Sequence, residues 1–348
     1  MSGHDWRGRR VGRGATLLKF LQRLLALVLV LVVAAGAAAL WWLTRPLPLA
    51  AERVELSIEP GTPPRDVALA WVAAGVKTDP LLLYAWFRFS GQARRIRAGS
   101  YEIGTGATPS DLLDKMVRGE ETLETLRLIE GWNFRQVRAE LAKSPSLRPL
   151  SAQMSDEQLM AAIGAPGQSP EGRFFPDTYA YSRGVSDITV LKRAHQSMQR
   201  RLAGAWAERD ANTPLRSMDE ALILASIIEK ETGVATDRAR VAGVFSNRLR
   251  LGMPLQTDPS VIYGLGEGFD GNLRKRHLLA DSPFNTYTRP GLPPTPIAMP
   301  GKASLVAAVK PESTKALYFV SRGDGSSEFS ETLAEHNRAV NKFQRNSK

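Results

Sequence analysis

The longest apolar stretch comes early. Leu24 to Leu43 reads LLALVLVLVVAAGAAALWWL without one charge. At about 1.5 Å per residue a helix of that length spans roughly the 30 Å core of a bilayer. The pattern then shortens. Val54 to Ile58, VELSI, alternates apolar and polar and predicts a strand. Val67 to Val76 and Pro80 to Ser90 predict short helices, and Ala98 to Ile103 a second strand. Leu112, Leu113, Met116 and Val117 make one helical face, with Ser110 as the expected N-cap and Gly119 as the stop. Val54 to Gly119 therefore forms a small module of strands and helices.

Glu124 to Ile129 predicts another strand, leading through a turn into a helix over EGWNFRQVRAEL. Residues 142–170 are polar and carry little signal. EGRFFPDTYAY, Glu171 to Tyr181, holds Phe174, Phe175 and Tyr179 and is either core or a ligand wall. Ile188 to Arg209 is a long basic amphipathic helix. Ser217 with Glu220 three residues on is a capping-box spacing before the run ALILASII, so a helix is expected from Ser217 to Gly233. A second runs from Asp237 to Leu251. QTDPSVIYGLG and NTYTRPGLPPTPIAMPG read as loops, ALYFVSRGDGSSEFS as strand, turn, strand, and a last helix starts near Leu333. The expected class is α+β: a single transmembrane helix, a small strand/helix subdomain and a mixed α+β domain.

Arg7, Arg9, Arg10, Arg13, Lys19 and Arg23 precede the apolar run, opposed only by Asp5. The positive-inside rule leaves residues 1–23 as a cytoplasmic basic tail, 24–43 as the span, and everything after Arg45 outside. The small residues of Ala35 to Ala39 also fit signal-peptide cleavage. The run's length and its closing Trp41 and Trp42 favour a retained anchor. Residues 44–53 read as a tether. The net charge of +11 suits an anionic polymer or lipid, or is a solvated surface. There are no cysteines, which excludes disulfides and thiolate ligands. His4, His195, His277 and His336 are scattered, without metal-ligand spacing. No cofactor and no nucleic-acid partner are expected.

LILASIIEKETG carries the candidate chemistry. Successive helical residues turn about 100°, so Glu229 and Glu231 point roughly 200° apart and form no close pair. Glu231 follows the stripe of Leu224, Ile227 and Ile228, whereas Glu229 follows Ala225 and Ser226. A carboxyl on an apolar stripe near a helix C-terminus has a raised pKa, as a general acid for glycosidic cleavage requires. The other reading is an exposed helix end where Glu231 pairs with an arginine of the next helix.

These residues carry a resemblance. LASIIEKETGVATDRARVAGVFSNRLRLGMPLQTDPSVIYGLG, FNTYTRPGLPPTPIAMPG, EGRFFPDTYAY and the terminal ALYFVSRGDG with its later HN closely resemble the endolytic murein transglycosylase, or YceG-like, family. The resemblance spans about Val54 to Phe343. It implies a single-pass inner-membrane protein whose active domain faces the periplasm. Such a protein cleaves peptidoglycan strands internally between N-acetylmuramic acid and N-acetylglucosamine, leaves 1,6-anhydro-muramic ends, and terminates strand growth. It implies Glu231 as catalytic acid, a LysM-like subdomain over 54–121 and a YceG-like catalytic domain over 122–345. Gln256, Asp258, Asn285 and Tyr287 lie in the family-like loops as substrate-binding candidates or, equally, as loop-stabilising groups; Tyr263, a further substrate-binding candidate, stacks on a sugar ring or, like Phe174, Phe175 and Tyr179, packs in the core. Glu229 has either a structural role or a supporting one behind the site. Glycan strands are the expected substrate, with peptidoglycan synthases as candidate partners. The alternatives are a hydrolytic muramidase and a membrane-anchored glycan-binding scaffold.

Overall fold

The computed structural model describes residues 11–345, and the side chains of residues 20–344. The first ten residues of the basic tail lie outside the described residues. Helix α1, Val11–Leu43, runs back through the rest of that tail. Its apolar stretch Phe20–Leu43 is long enough to cross a membrane, and only its end at Trp42 packs against the rest of the chain. The chain divides into two units, Met1–Leu123 and Glu124–Lys348.

In the first unit, β1 (Arg53–Ile58) and β2 (Gly99–Gly104) pair antiparallel, with Leu56 opposite Tyr101. Between them come α2 (Pro64–Ala74) and α3 (Pro80–Phe89), and after them α4 (Pro109–Arg118). The alternation of VELSI is visible as burial of Val54 and Ile58. Trp71 of α2 and Met116 of α4 meet in the core, the indole N–H 3.3 Å from the sulfur. Ser110 is not the cap of α4. Thr108 is: its hydroxyl accepts from the N–H of Asp111, whose carboxylate accepts from the N–H of Thr108. Pro109 takes the first helical position, where a missing N–H costs nothing. Residues 44–53 are no slack tether. Leu47 is buried, its N–H donating to Ala107 at 2.8 Å, and the Ala50 N–H donates to Gly75 at 2.8 Å.

In the second unit, β3 (Leu123–Arg127) pairs with β4 (Thr178–Ser182). Helices α5 (Phe134–Ala142), α6 (Asp156–Ala162) and α7 (Asp187–Ala207) pack around them. The weak stretch 142–170 hides α6, started by a Ser155–Gln158 capping box. Phe174, Phe175 and Tyr179 are core, with Phe174 stacked on Phe134 at 5.3 Å, so the aromatics of EGRFFPDTYAY face the interior.

A second core gathers α8 (Met218–Glu231), α9 (Ala235–Arg250) and α12 (Lys302–Val309). Every residue of α8 from Ala221 to Ile228 is buried, which at about 1.5–3 kcal/mol per large apolar side chain fixes the helix firmly. Ser217 does cap α8, but Glu220 returns to the Arg216 N–H rather than closing the box. The helix ends two residues before the expected Gly233. Thr232 is already extended, so Glu231 is the last helical residue. QTDPSVIYGLG is not all loop: Pro259 sits in the first turn of α10 (Asp258–Leu265). A short α11 (Lys275–Leu279) follows. The hairpin of β5 (Tyr318–Ser321) and β6 (Ser327–Ser330), then α13 (Leu333–Val340), complete the unit.

Candidate active site

The end of α8 opens into a cavity of about 670 Å³. Glu231 lines it with Arg248 from α9, Gln256 and Asp258 from the 253–258 turn, and Tyr287. Tyr318, Ser327, His336 and Asn337 line it from the β5–β6 hairpin and α13.

Glu231 is half-buried. Burial pushes its carboxyl up from 4.5 to about 7. The hydrogen bond from Thr257 pulls the other way, the negative charge of Asp258 pushes it further up, and the positive charge of Arg248 pulls it down. The direction is the one expected from the stripe of Leu224, Ile227 and Ile228. No described ion pair joins Glu231 to an arginine. Its partner is the Thr257 hydroxyl, which donates to Oε1.

The turn that supplies Thr257 is strained for a reason. Leu255 and Thr257 are both 1% exposed, so the chain must turn two anchored residues inward around Gln256. Gln256 does this at φ +50, the one non-glycine in the left-handed region among the described residues. That conformation costs of order 1–2 kcal/mol in an L-residue. Thr286 holds it: its carbonyl accepts from the Gln256 N–H at 3.0 Å and its hydroxyl from the Thr257 N–H at 3.0 Å. Arg248 braces the turn's other side. Its guanidinium donates to the carbonyls of Leu317, Pro254 and Leu255 and to Oε1 of Gln256. Five donors in a planar fork suit this task, and a lysine has no such geometry. Asp258 faces Tyr287, whose hydroxyl donates to Oδ1 at 2.5 Å. Burial first, then the Asp258 carboxylate, raises the Tyr287 pKa and keeps the phenol protonated.

Gln256, Asp258 and Tyr287 thus share the Glu231 cavity. Tyr263 and Asn285 do not line it. Tyr263 donates its hydroxyl to Glu171 at 3.0 Å and packs edge-on against Phe284, in a separate cavity beside α5. Asn285 is 1% exposed and spends its amide on the carbonyls of His277, Leu278 and Ala280. Its Oδ1 accepts from the Tyr287 N–H, so it aims Tyr287. Both tie neighbouring segments together rather than face Glu231. Glu229 also points elsewhere. Its Oε2 accepts from the Gly301 N–H at 2.9 Å, at the N-terminus of α12. There a carboxylate meets unpaired N–H groups and the positive end of the helix dipole.

Sequence reasoning missed Arg248, Thr257 and Thr286. Arg248 is one of four arginines in α9, with Arg238, Arg240 and Arg250. No short-range signal marks it as the buried one.

A second carboxyl is similarly perturbed. Glu171 is 5% exposed, and burial lifts it to about 7 against hydrogen bonds from the Phe134 N–H, Tyr263 and the Gly172 N–H. It caps α5 and anchors Tyr263. A raised pKa alone therefore does not single out a catalytic acid; of the two carboxyls, Glu231 lines the larger cavity.

A sequence profile of the YceG-like family matches residues 56–342. The chain is 30% identical to an endolytic murein transglycosylase of Bacillus subtilis over 285 residues, 77% of this chain and 78% of that one. It is 24% identical over 321 residues to an endolytic murein transglycosylase of Streptococcus pneumoniae, 82% of this chain and 58% of that one. A crystal structure of a yceG-like protein from Listeria monocytogenes, 28% identical, superposes with a TM-score of 0.53 and covers 83% of this chain and 99% of its own.

Proposed function

The chain belongs to the YceG-like family, and from that premise we propose that it is an endolytic lytic transglycosylase of peptidoglycan. The observation that carries the reading is the Glu231 carboxyl, pushed up to about 7 at the edge of an open cavity and held there by a single hydroxyl donor.

The protonated Glu231 gives its proton to the oxygen bridging N-acetylmuramic acid and N-acetylglucosamine. The C1–O bond breaks with oxocarbenium character. The muramic C6 hydroxyl then bonds to C1, and the Glu231 carboxylate takes the hydroxyl proton. The products are a 1,6-anhydro-muramic end and a new N-acetylglucosamine end. Glu231 is regenerated and no water is consumed. Glycosidases ordinarily use two carboxyls; here one suffices because the nucleophile comes from the substrate. Gln256, Asp258 and Tyr287 hold the sugars, with the Asp258 charge near the developing cation.

The first unit's residues 54–121 act as a LysM-like glycan contact and 122–345 as the catalytic domain. In this reading α1 is a retained anchor with its N-terminus inside, and both units work on the periplasmic side of the inner membrane. Cleavage there terminates growing strands beside peptidoglycan synthases.

One observation favours a second reading. Asp258 is a second carboxyl in the same cavity, so a hydrolytic muramidase using it to activate water is the competitor. Mass spectrometry of digested glycan strands decides. Anhydro-muramic ends support the transglycosylase and reducing ends the muramidase. Glu231→Gln should lose cleavage by either route; a variant that cleaves like wild type removes Glu231 from the mechanism, and a wild type that cleaves no glycan leaves the glycan-binding scaffold.

A further inference from the structure

One side chain on the cavity wall has no task in this mechanism. Thr332 caps α13 in a box with Glu335, which places His336 at the cavity. The His336 ring stacks on Tyr318 with centroids 5.2 Å apart and planes 24° from parallel. Tyr318 in turn has the Arg248 guanidinium 5.1 Å from its centroid. The stack fixes the imidazole beside the residue that braces Gln256.

The two ring nitrogens differ. Nδ1 is enclosed and has no hydrogen-bond partner. Nε2 is not enclosed and takes no partner among the described residues, which leaves it to the cavity. Burial, then the positive charge of Arg248, lowers the His336 pKa, so the imidazole is neutral at neutral pH. A neutral imidazole carries one N–H and one lone pair. An enclosed N–H without an acceptor is the costlier and rarer orphan. The proton therefore sits on Nε2 and the lone pair on Nδ1.

We propose that His336 is a substrate-positioning residue, donating a hydrogen bond from Nε2 to a carbonyl oxygen of the bound glycan. A nitrogen that only donates matches an oxygen that only accepts, as on an N-acetyl group, better than it matches a hydroxyl. The proposal rests on the reading of this cavity as a glycan-cleaving site.

The test compares the full chain in detergent micelles with His336→Phe and His336→Gln on purified glycan strands. Phenylalanine keeps the stack on Tyr318 and removes the donor. It should lower kcat/KM about ten-fold, mainly through KM, as loss of one hydrogen bond does. The glutamine amide restores a donor at similar reach and should recover most of that loss, which a structural role does not predict. In wild type, 15N NMR of the assigned His336 ring should report the Nε2–H tautomer, whatever the variants do. A Phe variant with wild-type kcat/KM, a folded Gln variant no better than Phe, or an Nδ1–H tautomer overturns the proposal. If wild type itself releases no glycan fragments, the functional reading fails first. If wild type cleaves and the Phe variant matches it, only the role of His336 fails.

Discussion

The Thr257 hydroxyl donates to Oε1 of Glu231, so the acid is held by a residue that follows a left-handed Gln256. The bond favours the carboxylate, while burial favours the neutral acid more strongly. The Glu231 pKa of about 7 is a compromise between them.

Removing the hydroxyl should tip that compromise. In Thr257→Val the carboxylate loses its donor, so the Glu231 pKa rises further. If Glu231 works as the acid, kcat/KM falls as pH rises through about 7 in wild type. In the variant that alkaline limb should move to higher pH, with a loss of about ten-fold at the optimum from the freed side chain. A pH–rate profile whose limb stays or moves down contradicts this.

Stability carries its own pH signature. A carboxyl raised from 4.5 to about 7 on folding stabilises the fold fully below the unfolded value and loses that contribution as pH rises through 7. Glu231→Gln is neutral throughout. Relative to wild type it should gain on the order of 2–3 kcal/mol between pH 4 and pH 8, because each tenfold change in acidity is worth about 1.4 kcal/mol. Urea unfolding of both proteins at the two pH values measures it; a difference independent of pH refutes the raised pKa.

Glu229 should behave as the opposite of its neighbour two residues on. Glu229→Ala removes the acceptor at the α12 N-terminus and should cost about 1 kcal/mol of stability, while glycan cleavage stays within a few-fold of wild type. Glu229→Gln keeps an acceptor and should lose less. It also removes one of the influences that raise Glu130, whose pKa is lifted by burial and then by the Glu229 charge. Loss of cleavage in a stably folded Glu229→Gln would give this residue a catalytic part.

Helical phase alone separates the two glutamates, because both directions are set by neighbours within one turn. The small-residue face of Ala225 and Ser226 is where other backbone comes close: Ser226 accepts from the Ile297 N–H at 3.0 Å. The caps and the loop helices are harder to read. Ser110 and Thr108 stand either side of a proline, and both are cap formers; only Thr108 has Asp111 at the box spacing. Asp258-Pro259 looks like a turn and is one, but it also starts a helix. Tyr263 and Asn285 fall outside the cavity because their partners, Glu171 and residues 277–280, are fixed by tertiary packing that no local pattern encodes. Arg248 is the sharpest example. Its value lies in joining the nearby carbonyls of Pro254 and Leu255 to that of Leu317, 69 residues along the chain.

The connector after α1 has a mechanical consequence. With Leu47 buried and Ala50 and Lys77 bonded across it, there is no leash between the helix and the module that follows. Trp42, at the helix end, is already part of the module's packing. Under the proposal that α1 is a retained anchor, the bilayer sets the height of that module as a ruler does. If that module also contacts glycan as proposed, strands lying beyond that height would be out of its reach, however freely it moved sideways.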